Sequence, residues 1–66
     1  MELQINGEAM FVDGPMTVGD LVEKLGLEPR KLAIERNLEI VPKSAYRRTM
    51  LADGDRLEIV HFVGGG

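Results

Sequence analysis

Hydrophobic and polar residues alternate from Met1 to Ile5, and the pattern breaks at Asn6-Gly7, ahead of a second, more apolar run from Glu8 to Val12. Both of these residues tolerate the positive φ of a type I′ turn, so the break predicts a two-residue hairpin. Such a turn dictates register, placing Ile5 opposite Glu8, Leu3 opposite Met10 and Met1 opposite Val12. Met1, Leu3, Ile5, Met10 and Val12 then share the face that meets a core, while Glu2, Gln4, Ala9 and Phe11 take the other. After a turn at Asp13-Gly14-Pro15 the period changes. Val18, Leu21, Val22 and Leu25 form one helical stripe, Thr17 and Asp20 have the spacing of a capping box, and Gly26 with Pro29 supplies the stop. Lys31-Leu32-Ala33-Ile34-Glu35 alternates as a strand, Arg36-Asn37 suits a turn, and Glu39-Ile40-Val41 is a shorter strand closed by Pro42. The stretch from Lys43 to Met50 has no period; an irregular connection is expected there, with at most one helical turn, laying Tyr46 and Leu51 against the sheet. Ala52-Asp53-Gly54-Asp55 is a turn, and Arg56 to Phe62 is the last strand. Leu57 and Ile59 point inward there, and Val60 and Phe62 outward.

A hairpin, one helix and further strands, the last long enough to run beside the first, fit an α+β fold: a mixed four- to five-stranded sheet packed on one main helix. That is the β-grasp architecture of ubiquitin. Residues 1–63 make the domain, and residues 64–66 a flexible C-terminal glycine tail. With 66 residues, 44% of them hydrophobic, the core is small and encloses little beyond itself.

Composition narrows the chemistry. Without cysteine there is no disulfide, thiolate metal site or thiol nucleophile, and the single His61 cannot build a multi-histidine zinc site. No metal is expected. The N-terminus lacks the features of a signal peptide and no apolar run spans a membrane, so a cytoplasmic protein is expected. A net charge of −3 with scattered basic residues argues against a nucleic-acid partner.

No side chain stands out as catalytic. Asp53 and Asp55 suit a turn better than an acid–base pair, which needs a desolvating cleft. His61 reads as a structural or surface histidine, and Lys43, Arg47 and Arg48 as solvated surface or a patch for an acidic partner. Phe11, Val60 and Phe62 share the outward face when the last strand is laid beside the N-terminal hairpin, expected near the C-terminal end. They form a docking patch unless a helix or loop covers them. Gly64, Gly65 and Gly66 are either a frayed end or a functional one. As a functional end they have no Cβ atoms and can thread a narrow channel, and the Gly66 α-carboxylate, ionised at neutral pH, can attack the α-phosphorus of ATP. Sulfur attack on that mixed anhydride leaves a thiocarboxylate.

Several segments in order carry a resemblance over nearly the whole chain: Asn6-Gly7-Glu8-Ala9-Met10, Met16 through Leu25, Leu32-Ala33-Ile34, Ile40-Val41-Pro42-Lys43, Asp53-Gly54-Asp55 and the terminal glycines. They resemble the ThiS family of thiamine-biosynthesis sulfur carriers, within the ubiquitin-like β-grasp superfamily. The resemblance implies a sulfur-carrying co-substrate and not an enzyme. It implies that a ThiF-type activating enzyme, using ATP and magnesium, adenylates Gly66, that a sulfur donor protein converts it to a thiocarboxylate, and that a ThiG-type thiazole synthase takes the sulfur for thiazole. Gly65 and Gly66 match the family's terminal pair, and Gly64 is an addition. No cofactor is expected on the chain itself. Other readings are the small subunit of molybdopterin synthase, a ubiquitin-like modifier joined to lysines, and a plain interaction domain with an incidental tail.

Overall fold

The computed structural model describes residues 1–62; the expected tail at Gly64, Gly65 and Gly66 lies outside them. Strands β1 (Glu2–Ile5), β2 (Glu8–Phe11), β3 (Leu32–Arg36), β4 (Glu39–Val41) and β5 (Arg56–His61) form one mixed sheet in the order β2-β1-β5-β3-β4, with helix α1 (Val18–Lys24) packed on one face. This is the expected α+β, β-grasp arrangement. The hairpin has the predicted register, with Leu3 opposite Met10 and Ile5 opposite Glu8, and Asn6 and Gly7 have φ values of 51° and 83°. Leu3 and Val12 are buried, and Met1, Ile5 and Met10 pack against them at the rim.

Both halves of the capping box form. The Asp20 N–H donates to the Thr17 hydroxyl and the Thr17 N–H to the Asp20 carboxylate, each at 3.0 Å. Val18, Leu21 and Val22 are buried on the sheet, and Tyr46 and Leu51 close the core from the long connection, as the pattern predicts. That connection contains a single 3-10 turn at Lys43–Ala45.

Two boundaries differ from expectation. Lys31 ends a 3-10 turn, Pro29–Lys31, ahead of β3. Arg36, expected in a turn, belongs to β3, because it pairs with Glu39 on one side and Leu57 on the other. The turn is Asn37-Leu38, with φ values of 51° and 72°. A leucine is strained in that left-handed conformation, and its side chain, 90% exposed, gains no packing there.

The central strand β5 runs parallel to β1 and antiparallel to β3. At its start, Asp55 is buried and fully partnered: its carboxylate accepts from Arg36 Nε at 2.8 Å, Asn37 Nδ2 at 3.0 Å and the Ala52 N–H at 2.8 Å. Burial pushes its pKa up, but the hydrogen bonds from Arg36, Asn37 and Ala52 outweigh that and hold the carboxyl below its ordinary value.

Two stability predictions follow from these turns. Leu38→Gly removes the strain and loses no buried surface, so urea unfolding should show a gain of about 0.5–1 kcal/mol. Asp55→Ala orphans three donors at once and should cost about 2–3 kcal/mol in the same assay at neutral pH. Because the folded pKa of Asp55 is depressed, its contribution is complete above the free-carboxyl value near pH 4 and is lost as pH falls through the lower folded value. The gap between wild type and variant should therefore shrink on acidification below about pH 4.

Candidate functional site

The part of the fold that presents the chain's C-terminal end is the far end of β5. Leu57 and Ile59 are buried, so Glu58 and Val60 fall on the opposite, open face. Beyond His61 the backbone continues in register by one more bond, the Phe62 N–H donating to the Lys31 carbonyl at 2.8 Å. β1 has turned away at this level, and a side chain takes its place. The Asn6 carboxamide donates from Nδ2 to the Ile59 carbonyl at 3.2 Å and accepts the Ile59 N–H at 2.7 Å, as a peptide group of a neighbouring strand would. β5 is thereby bonded on both flanks as far as Ile59.

Val60 is 57% exposed and Phe62 53%, and no helix or loop of the described residues covers the face they occupy. Phe11, 75% exposed, lies on the same face but not near them. The expected three-residue cluster is corrected by the pairing of β1 with β5. Glu2, opposite Phe11, stands level with the start of β5, because Gln4 aligns with Arg56 in parallel. Phe11 is therefore six positions down the sheet from Val60, roughly 20 Å along the strands, and two strands, roughly 10 Å, across. An antiparallel pairing would have brought them together.

The exposed Val60 is flanked instead by Ala33, directly opposite on β3. In the next row Glu58 faces Glu35, and Ile40 stands beyond, 71% exposed. The basic group expected from Lys43, Arg47 and Arg48 is divided. Arg47 bonds to Asp20 at 3.3 Å and Glu23 at 2.8 Å on α1, whereas Lys43 Nζ lies 5.7 Å from the centroid of the Phe62 ring. The Thr17 backbone N–H first, then its hydroxyl and Arg47, hold the Asp20 carboxyl below its ordinary value. These contacts belong to the helix cap.

Nothing among the described residues makes a catalytic constellation. His61 is exposed on the strand, no three His, Cys, Asp or Glu side chains gather to hold a metal, and the surface hollows are open. The hollow bordered by Asn37, Leu38, Arg56 and Glu58 holds no nucleophile beside a base. No helix of the described residues is long and apolar enough to cross a membrane. The Asn6 clasp on Ile59 was not foreseeable from Asn6-Gly7, which signals the turn but not the strand that the side chain will reach.

Comparison with known proteins agrees with this geometry. A family model described as the ThiS family matches residues 3–66, a span that includes the three glycines. The chain is 56% identical over 66 residues to a thiazole synthase of Paramagnetospirillum magneticum, covering all of this chain and 20% of that protein. It thus spans only a fifth of that relative's length. It is 43% identical over 65 residues to the sulfur carrier protein ThiS of Bacillus subtilis, covering 97% of this chain and 98% of that one. The crystal structure of the thiamine biosynthesis protein ThiS from Geobacter metallireducens superposes with a TM-score of 0.86 at 33% identity, each chain covered fully. A five-stranded β-grasp sheet, an uncovered end of its central strand and a match running through the last glycine have one reading in common: the chain belongs to the ThiS family of small sulfur carrier proteins.

Proposed function

We propose that this chain carries sulfur for thiazole formation in thiamine biosynthesis, as a co-substrate whose reactive group is the carboxylate of Gly66. The observation that carries the reading is the end of β5: a strand bonded on both flanks as far as Ile59 and along its β3 flank as far as Phe62, followed by Val63 and three glycines. A rigid domain with a side-chain-free tail delivers a carboxylate into a partner's site and supplies no catalytic group of its own.

Gly64 and Gly65 thread into an ATP-dependent activating enzyme of the ThiF type. There a Gly66 carboxylate oxygen attacks the α-phosphorus of ATP, the bond to the β-phosphate breaks and pyrophosphate leaves. ATP and its magnesium belong to that enzyme. A hydrosulfide-level sulfur from a donor protein then attacks the acyl carbon, and AMP departs with the electron pair of the broken C–O bond, leaving the thiocarboxylate. Absence of a Cβ at Gly66 keeps both attacks unhindered. A thiazole synthase of the ThiG type receives the sulfur, a partner suggested by the thiazole synthase relatives that contain a stretch similar to this chain. Val60 and Phe62 supply apolar contact beside the tail; Phe11, at the other end of the sheet, does not belong to that contact.

Incubation with the activating enzyme and ATP should add one AMP to the C-terminal peptide, and a sulfur source should then replace one carboxyl oxygen with sulfur. Intact-mass analysis reads both steps and also establishes whether the chain ends at Gly66. Lysine-linked adducts in place of a thiocarboxylate would instead identify a protein modifier. A second expectation concerns docking. Phe62→Asp should alter stability by less than about 1 kcal/mol, because the ring is half exposed, yet weaken binding to the activating enzyme at least several-fold in a titration. Ile59→Asp, at a buried position, should instead unfold the domain, as circular dichroism would report.

A further inference from the structure

Two lysines stand at the tail root of a chain whose net charge is −3. Phe62 stands across from Lys31 and its ring lies near the Lys43 ammonium, within the range of a cation–π contact. Pro42, with φ of −62°, leads from β4 straight into the 3-10 turn that begins at Lys43, so the lysine's backbone position is set by the sheet. None of the ion pairs of the described residues involves Lys31 or Lys43. The nearby Arg30 is paired with Glu28 at 3.5 Å. At the opposite end of the sheet the charges are mixed: Glu39 stands opposite Arg36, Arg56 begins β5, and Glu2 lies beside Asp53, whose carboxylate accepts the Glu2 N–H at 2.7 Å. A chain of net charge −3 thus places two lysines that make no ion pair among the described residues, and an exposed aromatic ring, where its C-terminal segment leaves the domain.

We propose that Lys43 is a specificity-determining residue for tail delivery: with Phe62 and Lys31 it forms an apolar and cationic collar that seats on an acidic rim at the mouth of the activating enzyme's tail channel. The proposal rests on the carrier reading above. Distance decides what the collar meets. Four residues follow Phe62, and fully extended they reach at most about 14 Å, which places the Gly66 carboxylate well inside the channel while the collar stops at its entrance. Lys43 therefore faces protein at the rim and not the phosphates of ATP. A cation at a solvent-accessible rim acts on encounter and register, through a field that salt screens within about 8 Å at physiological ionic strength.

The test uses the full chain with the activating enzyme and ATP, measuring the rate of AMP addition against carrier concentration. Lys43→Glu should raise KM about tenfold or more with kcat within about twofold of wild type, Lys43→Gln should fall between, and Lys43→Arg should stay close to wild type. Raising the salt should narrow the gap between wild type and Lys43→Glu. Arg48→Glu makes the same change in net charge at an exposed site in the connection to Met50, and should leave KM unchanged. A Lys43→Glu KM within twofold of wild type, an equal rise in Arg48→Glu, or a loss in kcat in place of KM would each overturn the collar. A folded wild-type chain that accepts no AMP would overturn the carrier reading, and the collar with it.

Discussion

Everything this domain presents depends on the bonding of β5, the strand at the centre of the sheet. Its neighbours run in opposite senses, β1 parallel and β3 antiparallel, and neither is long enough to accompany it from end to end. Two asparagines make up the difference. Asn6 completes the ladder at Ile59, and Asn37 accepts the Arg56 N–H at 3.0 Å while its own N–H donates to the Arg56 carbonyl at 2.8 Å. Both sit at φ 51°, where a short carboxamide is tolerated and can copy a peptide group. Asn37 also donates to Asp55, so one turn fixes the strand's start and shields its buried charge.

Much of this order can be read from local pattern. The Asn6-Gly7 hairpin, the Thr17 and Asp20 cap, the stripe of Val18, Leu21 and Val22, and the alternation of Leu57 and Ile59 each depend on residues close in sequence. Pairings between distant elements are harder to read. Asp55 resembles any turn aspartate until Arg36 and Asn37 arrive from 19 and 18 residues away. Phe11 shares a face with Val60 under either strand direction, and only the parallel alignment of Gln4 with Arg56 sends the two to opposite ends. Sequence pattern places the Asn37-Leu38 turn one residue early, at Arg36-Asn37, because leucine carries no turn signal, although the Leu38 backbone adopts the conformation glycine prefers.

The absence of a side-chain active site among the described residues is consistent with a core this small. Among the described residues, twelve buried hydrophobic side chains fill the space between helix and sheet, and the one buried carboxylate is already satisfied by three donors. Recognition is left to the surface. There the open face sets Val60 beside Phe62, places two glutamates opposite each other at Glu35 and Glu58, and leaves Lys43 near the last aromatic ring. Cross-strand carboxylates repel, so the sheet tolerates at Glu35 and Glu58 an arrangement that contributes nothing to its own stability.

The same parallel alignment that separates Phe11 from Phe62 also separates Met1 from the exit of the chain. The Met1 ammonium donates to the Val12 carbonyl at 2.7 Å, beside the start of β5 and about nine residues' length of strand from Phe62. An amide at that nitrogen keeps a hydrogen for the same bond. A fluorophore, a surface tether or a whole domain can therefore be joined ahead of Met1 without crowding the opposite pole, and the molecule can be held by one end while the other does its work.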